Sequence, residues 1–187
     1  EAEEDDIVVV HDAVRPLVPV EVIRRSISPI AAGEADATDT VIPSADTLVI
    51  VDGDRVVEIP DRSRYRRGQT PQTFRAGVLA RAYGVAAAAG DLTATDDCSL
   101  VLRYVPGVRR VAVDGDEVNL KITTRIDMVM ADRMLQMRLL ESDGQGVAPA
   151  RSLVDGRVLV VGGSQGIGEA VAAEARRRFI QSNLRLV

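Results

Sequence analysis

An imidazole, a carboxylate and a guanidinium lie close together near the start of the chain, at His11, Asp12 and Arg15. The four apolar residues before them, 7–10, run without alternation, which is typical of a parallel strand buried on both faces. Ligands of open α/β sheets bind just beyond the carboxyl ends of such strands. A carboxylate and an arginine there can hold a metal–phosphate group, or one phosphate and one sugar. The spacing is equally compatible with an aspartate that caps a turn beside a solvated arginine.

The chain contains 23 lysine and arginine residues, and only Lys121 is a lysine. It lies in the stretch 118–123, where alternating apolar and polar residues predict a strand. Asn119, Lys121 and Thr123 would share its polar face. A single ammonium among many planar guanidinium groups indicates that a compact charge is needed. We therefore predict that Lys121 is a functional, charge-stabilising residue, the alternative being a surface lysine retained by chance.

The composition argues against several classes of protein. A net charge of −5 argues against a nucleic-acid partner. Cys98 is the only cysteine, so no internal disulfide can form and a cytoplasmic location is predicted. No apolar run reaches membrane-spanning length and no signal peptide opens the sequence, so no membrane partner is expected. The 187 residues suffice for one domain with a substantial core.

The order of the predicted strands and helices indicates an α/β fold. Asp-Gly at 52–53, between the β-rich runs 46–51 and 55–59, predicts a hairpin. Because apolar residues occupy both of its faces, we expect the segment of about 43–64 to form an arm that reaches another subunit. Thr95 is predicted to cap one helix, and Thr124 another whose methionines fill the core. The other predicted elements are a short strand leading into Gln69, the strands 37–42 and 109–113, and the helices 74–89 and 19–32. Gly33 would end the helix 19–32, and Pro29 leaves open an earlier end near Ser28.

A second segment follows a predicted linker at 142–154. An apolar strand at 157–161 leads into a glycine turn with Gly162, Gly166 and Gly168, and then into a helix. This order is typical of a dinucleotide-binding βα unit, in which backbone amides approach a pyrophosphate. The predicted organisation is therefore a first domain at 1–141, the linker, and the beginning of a second Rossmann domain at 155–187.

Four stretches of the first domain carry a resemblance to a known family. They are His-Asp-Ala-Val-Arg-Pro at 11–16, Gly-Gln-Thr-Pro-Gln-Thr-Phe at 68–74, Thr-Asp-Asp at 95–97 and Asn-Leu-Lys-Ile-Thr-Thr at 119–124. In this order they resemble the sugar-alcohol-phosphate cytidylyltransferases, which make CDP-ribitol or CDP-methylerythritol. The resemblance implies a Rossmann-like, mostly parallel sheet and a homodimer joined through the hairpin arm.

The resemblance also implies a reaction and a set of residues. CMP would pass from CTP, with Mg²⁺, to a polyol phosphate, with ribitol 5-phosphate favoured over 2-C-methyl-D-erythritol 4-phosphate, and pyrophosphate would leave. Lys121 and Asp12 would be catalytic, and no protein metal site is expected. The implied substrate-binding residues are Arg15, Thr47, Arg62, Thr70 and Thr95.

The second segment resembles the opening of a short-chain dehydrogenase/reductase, with NADP or NAD as its cofactor. A cytidylyltransferase followed by such a reductase resembles the bifunctional CDP-ribitol enzymes. The family's Gly-rich CTP loop has no counterpart before residue 7. We therefore expect a fragment that is inactive alone. Two alternatives are an oxidoreductase whose first domain is only accessory, and a dimerisation module without catalysis.

Overall fold

The computed structural model describes residues 3–91 and 93–142, with side chains as far as residue 138. Within this range the chain forms two compact units, residues 3–8 with 21–117 and residues 9–20 with 118–142. The predicted linker, the strand at 157–161 and the glycines Gly162, Gly166 and Gly168 lie outside the described residues. No helix in the described part of the chain is long and apolar enough to cross a membrane.

The sheet of the structure is mixed. Its strands β1 (Ile7–Val10), β2 (Ala37–Pro43), β5 (Arg66–Arg75) and β6 (Arg110–Asp114) follow the order β1-β5-β2-β6. Strand β2 pairs antiparallel with β5 and parallel with β6. A separate hairpin consists of β3 (Ile50–Asp52) and β4 (Arg55–Glu58), with Gly53 at a φ of 62° in its turn. The hairpin confirms the turn prediction, although its first strand is shorter than predicted.

Strand β5 carries the Gln-Thr-Pro-Gln motif and is longer than the predicted short strand. Its register with β2 shifts between Asp39 and Thr40, where Thr70 and Pro71 are extra residues on β5. The hydroxyl of Thr40 donates to the carbonyl of Pro71 across this irregularity. The Pro71 carbonyl, which belongs to the bulge, thus has a side-chain donor as its hydrogen-bond partner. The motif therefore lies within one strand, which continues on both sides of a bulge at Thr70 and Pro71.

In the described part of the chain, four α-helices accompany the strands: α1 (Val20–Ala31), α2 (Ala76–Ala88), α3 (Asp97–Tyr104) and α4 (Arg125–Ser142). The predicted helix 19–32 is confirmed by α1, and the alternative of an earlier end near Ser28 is wrong, because the helix continues through Pro29. Fully buried Ile30 anchors the last turn, and the hydroxyl of Ser28 donates to the carbonyl of Arg24. Burial of this last turn outweighs the backbone hydrogen bond that proline removes.

The core of the first unit combines aliphatic and polar side chains. Val22 and Ile30 of α1 are fully buried, as is Phe74 at the end of β5. Buried Thr38 donates to the carbonyl of Ser26 at 2.7 Å, and Thr73 donates to the Ser26 hydroxyl at 3.0 Å. These bonds satisfy hydroxyl groups that would otherwise be costly to bury beneath a helix.

Two further predictions need correction. Residues 118–123 form no strand, because backbone and side-chain contacts from the turn at 11–15 hold them instead of a ladder. The methionines of α4 are mostly exposed: Met128, Met130 and Met137 expose between 45% and 61% of their surface. Among the helix residues whose side chains the structure describes, 125–138, the buried one is Ala131, so this part of the helix packs on a different side from the predicted one.

Candidate active site

The turn after β1 is closed by three polar contacts. The backbone N–H of Arg15 donates to the carbonyl of Asp12 at 3.0 Å, and a ring nitrogen of His11 lies 3.1 Å from the carbonyl of Arg15. The Nε of Arg15 donates to Oδ2 of Asp12 at 3.1 Å. His11 therefore has the structural hydrogen bond expected for a histidine at a strand end, and the turn aims Asp12 and Arg15 at each other.

The segment that carries Lys121 lies along this turn. The Nη1 of Arg15 donates to the carbonyl of Asn119 at 2.7 Å, and the N–H of Ile122 donates to the carbonyl of Val14 at 2.8 Å. Lys121 lies between these two attachments. Its Nζ is 3.3 Å from Oδ2 of Asp12, so one carboxylate oxygen faces both an ammonium and a guanidinium. The structure thus brings Asp12, Arg15 and Lys121 together in one unit.

The three side chains differ in their accessibility. The side chain of Lys121 is 48% exposed and that of Asp12 is 31% exposed, whereas that of Arg15 is 10% exposed. A phosphate that approaches from solvent can therefore reach the ammonium, while the guanidinium is largely enclosed by protein. The arrangement can bind an anion at the exposed ammonium of Lys121, while Asp12 and Arg15 hold that lysine in place from the protein side.

The other predicted substrate-binding residues belong to the first unit. Thr47 and Arg62 are exposed at the two ends of the hairpin, where Arg62 Nη1 donates to the carbonyl of Ala45 at 2.8 Å. Thr70 is half-buried at the bulge of β5. Thr95 is exposed, and the prediction that it caps α3 is wrong.

The N-cap of α3 is Asp96. Its Oδ1 accepts from the N–H of Ser99 at 2.7 Å, and the hydroxyl of Ser99 accepts from the N–H of Asp96. Burial opposes ionisation of Asp96, but the hydrogen bonds from Ser99 and Gln72 outweigh it and lower the pKa of this carboxyl. Thr95 is thereby released from the capping role, and its hydroxyl lies 3.5 Å from that of Ser99.

The sequence analysis missed the roles of Gln69 and Gln72. The amide of buried Gln69 donates to the carbonyl of Asp116 at 2.9 Å and accepts from its N–H at 3.2 Å. Buried Gln72 donates to both Asp39 and Asp96 at 3.0 Å and accepts from the N–H of Cys98. The available signal was their position on either side of Pro71 in a predicted strand. A glutamine that such a strand buries must find hydrogen-bond partners for all the polar atoms of its amide.

Burial also affects the groups around Gln72. It raises the pKa of the Asp39 carboxyl, although the hydrogen bond from Gln72 opposes the increase. Burial likewise raises the pKa of the Cys98 thiol, and nearby acids add to this effect. A thiol that remains protonated is a poor nucleophile, so Cys98 is not a candidate for nucleophilic chemistry.

The model of the family described as IspD, 2-C-methyl-D-erythritol 4-phosphate cytidylyltransferase, matches residues 1–137. The chain belongs to this family. The Haemophilus influenzae bifunctional ribulose 5-phosphate reductase/CDP-ribitol pyrophosphorylase Bcs1 is 36% identical over 178 residues, covering 93% of this chain and 37% of that protein. The Thermobifida fusca 2-C-methyl-D-erythritol 4-phosphate cytidylyltransferase is 40% identical over 139 residues, covering 72% of this chain and 55% of that protein.

Solved structures of the IspD family share the fold. The crystal structure of the Thermus thermophilus 2-C-methyl-D-erythritol 4-phosphate cytidylyltransferase aligns with a TM-score of 0.61 at 33% identity, covering 70% of this chain and 62% of that one. The chain spans about half the length or less of the two curated relatives described above.

Magnesium accompanies CTP in IspD-type enzymes. Among the described residues, no group of three or more His, Cys, Asp or Glu side chains could hold a metal ion. Asp12 is the carboxylate of the cluster with Lys121, and its Oδ2 already faces two cations. The residues therefore fit an ion that arrives on nucleotide phosphates, with few protein ligands, better than an ion held by protein alone.

Proposed function

We propose that the protein carrying this chain transfers CMP from CTP to a polyol phosphate and releases pyrophosphate. The proposal is carried by the contact of Asp12 with Lys121, in which Oδ2 and Nζ lie 3.3 Å apart while the lysine stays half exposed. An ammonium that is both fixed and accessible suits a group that must meet an incoming phosphate. Membership of the IspD family and the named activities of the relatives support the same reaction.

The roles of the residues follow from the chemistry of phosphoryl groups. A phosphate oxygen of the polyol phosphate attacks the α-phosphorus of CTP, and the bond to pyrophosphate breaks. Negative charge is concentrated where the two phosphates meet, so positioning and cationic stabilisation dominate catalysis. Lys121 supplies the cation and Asp12 holds its ammonium. CTP enters as its Mg²⁺ complex, so the ion is part of the substrate.

We propose that the hairpin is the arm of a homodimer. Apolar side chains on it are exposed, including Val51, which is 59% exposed, and its register partner Val56, which is 60% exposed. Pairing with a second copy would remove this apolar surface from water. Arg62 and Thr47, at the ends of the hairpin, would then bind the polyol phosphate in the other subunit's site, and Thr70 and Thr95 would contact substrate in their own.

Sedimentation tests the arm. We expect Val51→Asp/Val56→Asp to convert a dimer into a monomer, because two carboxylates would be buried without partners. The matched control is Leu102→Asp, which places an acid at another residue that is 61% exposed, on α3. A dimer that survives the hairpin variant, or a wild-type protein that sediments as a monomer, would exclude this interface.

We propose ribitol 5-phosphate as the acceptor, with 2-C-methyl-D-erythritol 4-phosphate second, and a bifunctional protein whose reductase uses NADP or NAD. The alignment with Bcs1 extends over 178 residues, beyond the 137 that match the family model, and so includes part of the second segment. The glycines Gly162, Gly166 and Gly168, which would contact the dinucleotide, lie in that segment.

An assay of the gene product that contains this chain tests the reaction. We expect CTP-dependent release of pyrophosphate with ribitol 5-phosphate, slower release with 2-C-methyl-D-erythritol 4-phosphate, and none without an acceptor. NADPH oxidation with ribulose 5-phosphate is measured in parallel. Faster release with the methylerythritol substrate would reverse the assigned preference. NADPH oxidation without any CTP-dependent release would instead support an oxidoreductase whose first domain is accessory.

A further inference from the structure

The guanidinium of Arg15 is occupied by protein groups. Arg15 is 8% exposed, and its Nε and Nη1 donate to Asp12 and to the carbonyl of Asn119. An arginine grips a phosphate bidentately through one of two edges, Nε with Nη2 or Nη1 with Nη2. Nε is engaged, and Nη1 gives one of its two hydrogens to the Asn119 carbonyl. A bidentate grip through the Nε edge would therefore require a protein hydrogen bond to break, and the burial of the side chain restricts access to the other edge.

The same two bonds join segments that are far apart in the sequence. Asn119 follows Arg15 by 104 residues, and its carbonyl accepts from the buried guanidinium at 2.7 Å. A backbone bond from Ile122 to Val14 forms the second attachment, so Lys121 is fixed on both sides. Because no strand ladder supports residues 118–123, the position of the Lys121 ammonium depends on these attachments.

We propose that Arg15 is a positioning residue, which locks the turn carrying Asp12 to the segment carrying Lys121 and thereby fixes the ammonium for the incoming phosphate. This inference rests on the proposed cytidylyl transfer and reassigns Arg15, which the family resemblance places among the substrate ligands. The accessible cation of the cluster is Lys121, at 48% side-chain exposure against 10% for Arg15. Arg15 thus acts through Lys121 and not on the substrate.

Steady-state kinetics of the gene product separate the two roles. We expect Arg15→Gln to lower kcat by roughly 30- to 100-fold, with KM for the polyol phosphate changed by less than about threefold, because a misplaced cation affects the transition state most. Arg15→Lys is expected to give the same loss, since one ammonium on a shorter side chain cannot span both partners. A phosphate ligand would instead show a large rise in KM and partial rescue by lysine, and that result would overturn the proposal.

A double-variant cycle tests whether Arg15 acts through Lys121. We expect Arg15→Gln to cost almost nothing further in a Lys121→Ala background, because a cation that is absent cannot be misplaced. Losses that multiply across the two substitutions would show that Arg15 acts on the reaction independently. The matched control is Arg24→Gln, which breaks another arginine–acid contact of the same spacing, at 2.6 Å to exposed Glu21.

A second kind of measurement needs no catalysis and follows the NMR signal of the single lysine. Labelling the chain with [ε-¹³C]lysine gives one signal, from Lys121. We expect Arg15→Gln to shift or broaden this signal and Arg24→Gln to leave it unchanged. An unchanged signal in folded Arg15→Gln would refute the proposal. If the gene product shows no cytidylyl transfer, the proposed function fails while this signal still decides the role of Arg15. If Arg15→Gln does not fold, the kinetics of the charge-conserving Arg15→Lys variant decide instead.

Discussion

Two polar stretches of the chain, 69–72 in β5 and 119–121 after β6, are built in opposite ways. The first lies in a strand ladder, and its glutamines Gln69 and Gln72 are buried with their amides hydrogen-bonded to protein. The second has no ladder and is attached by single contacts, and it presents the half-exposed Lys121. Both stretches resemble family motifs, yet only the second leaves a charged group for a ligand to reach.

The difference separates residues that can act on a substrate from residues that stabilise the fold. A buried amide with satisfied donors and acceptors stabilises the fold and has little left to offer a substrate. An exposed ammonium beside one carboxylate contributes little to stability, since surface ion pairs are weak. Substitutions of Gln69 and Gln72 should therefore affect stability and spare chemistry, and substitutions at Lys121 should do the reverse.

The largest effect is expected for Lys121→Ala. We predict that kcat of the gene product falls roughly 10²- to 10³-fold, because one preorganised charge that meets the developing phosphate charge is removed. Binding of CTP should change far less, and the melting temperature should hardly move because the side chain is half exposed. Pyrophosphate release, CTP titration and thermal unfolding provide the three measurements.

Two variants make this prediction specific to Lys121. Arg125→Ala removes an exposed cation four residues further along the chain and should leave kcat within about twofold of the wild type. Lys121→Arg keeps the charge but replaces a compact ammonium by a planar fork, so it should recover only part of the loss. If kcat of Lys121→Ala stayed within a few-fold of the wild-type value, Lys121 would not be a catalytic residue, and the two stretches would no longer differ in function.

The second effect concerns Gln72, whose amide donates to both Asp39 and Asp96. We predict that Gln72→Glu lowers the free energy of unfolding at pH 7 by about 3 kcal/mol, because a buried carboxylate would stand beside two other carboxylates in place of an amide that donates to both. The loss should shrink as the pH falls, since protonation of the new carboxyl removes the repulsion. Denaturant unfolding at pH 7 and pH 5 measures both the loss and its recovery.

The control for Gln72 is Gln136→Glu, the same exchange at an exposed residue of α4. It should change the unfolding free energy by no more than about 0.5 kcal/mol, as surface substitutions usually do. Equal destabilisation by the two variants, or a loss at Gln72 that grows on acidification, would contradict the role assigned to the buried amide.

The sequence predicted the parts of the molecule that depend on local chemistry. The Asp-Gly turn at 52–53 indicated the hairpin, and Thr124 with Asp127 indicated the start of α4, where the Thr124 Oγ1 accepts from the N–H of Asp127. The family resemblance also assigned Asp12 and Lys121 to one catalytic site, and the two side chains do meet in the structure.

The errors arise where tertiary contacts override local pattern. Alternation at 118–123 predicted a strand, but the Arg15 side chain takes the Asn119 carbonyl that a ladder would use. Thr95 and Asp96 are both good N-cap residues, and the choice depends on which of them Ser99 reciprocates. Helix α4 is apolar on more than one side, so its period could not show that Ala131 faces the protein.

The third effect concerns Gly115, which lies next to Gln69. A methyl group at this position would collide with Oε1 of Gln69 and lie 3.1 Å from Cγ2 of both Ile42 and Thr40. We predict that Gly115→Ala lowers the free energy of unfolding by about 2 kcal/mol through overpacking, with kcat per folded molecule unchanged. Urea unfolding and an assay normalised to folded protein test the two halves of this prediction. Gly84→Ala is the control, because nothing lies within 4 Å of a methyl group there.

The smallest effect concerns the capping carboxylate of α4, in the unit that carries Lys121. Hydrogen bonds from the backbone N–H groups of Thr123 and Thr124 lower the pKa of Asp127 to about 2. A lowered folded-state pKa means that the carboxylate stabilises the protein above its unfolded-state pKa near 4, and that this contribution is lost as the pH falls through about 2.

Asp127→Asn should therefore lower the melting temperature slightly at pH 7, and this difference from the wild type should disappear as the pH falls from about 4 to about 2. The control is Asp132→Asn, further along α4, where Asp132 accepts from the side chain of Gln136 and caps no helix end. A difference that persists below pH 2 would show that Asp127 stabilises α4 by its shape and not by its charge. In that case the segment of Lys121 would be anchored to the helix without any electrostatic contribution, and its contacts with Asp12 and Arg15 would be the ones that depend on charge.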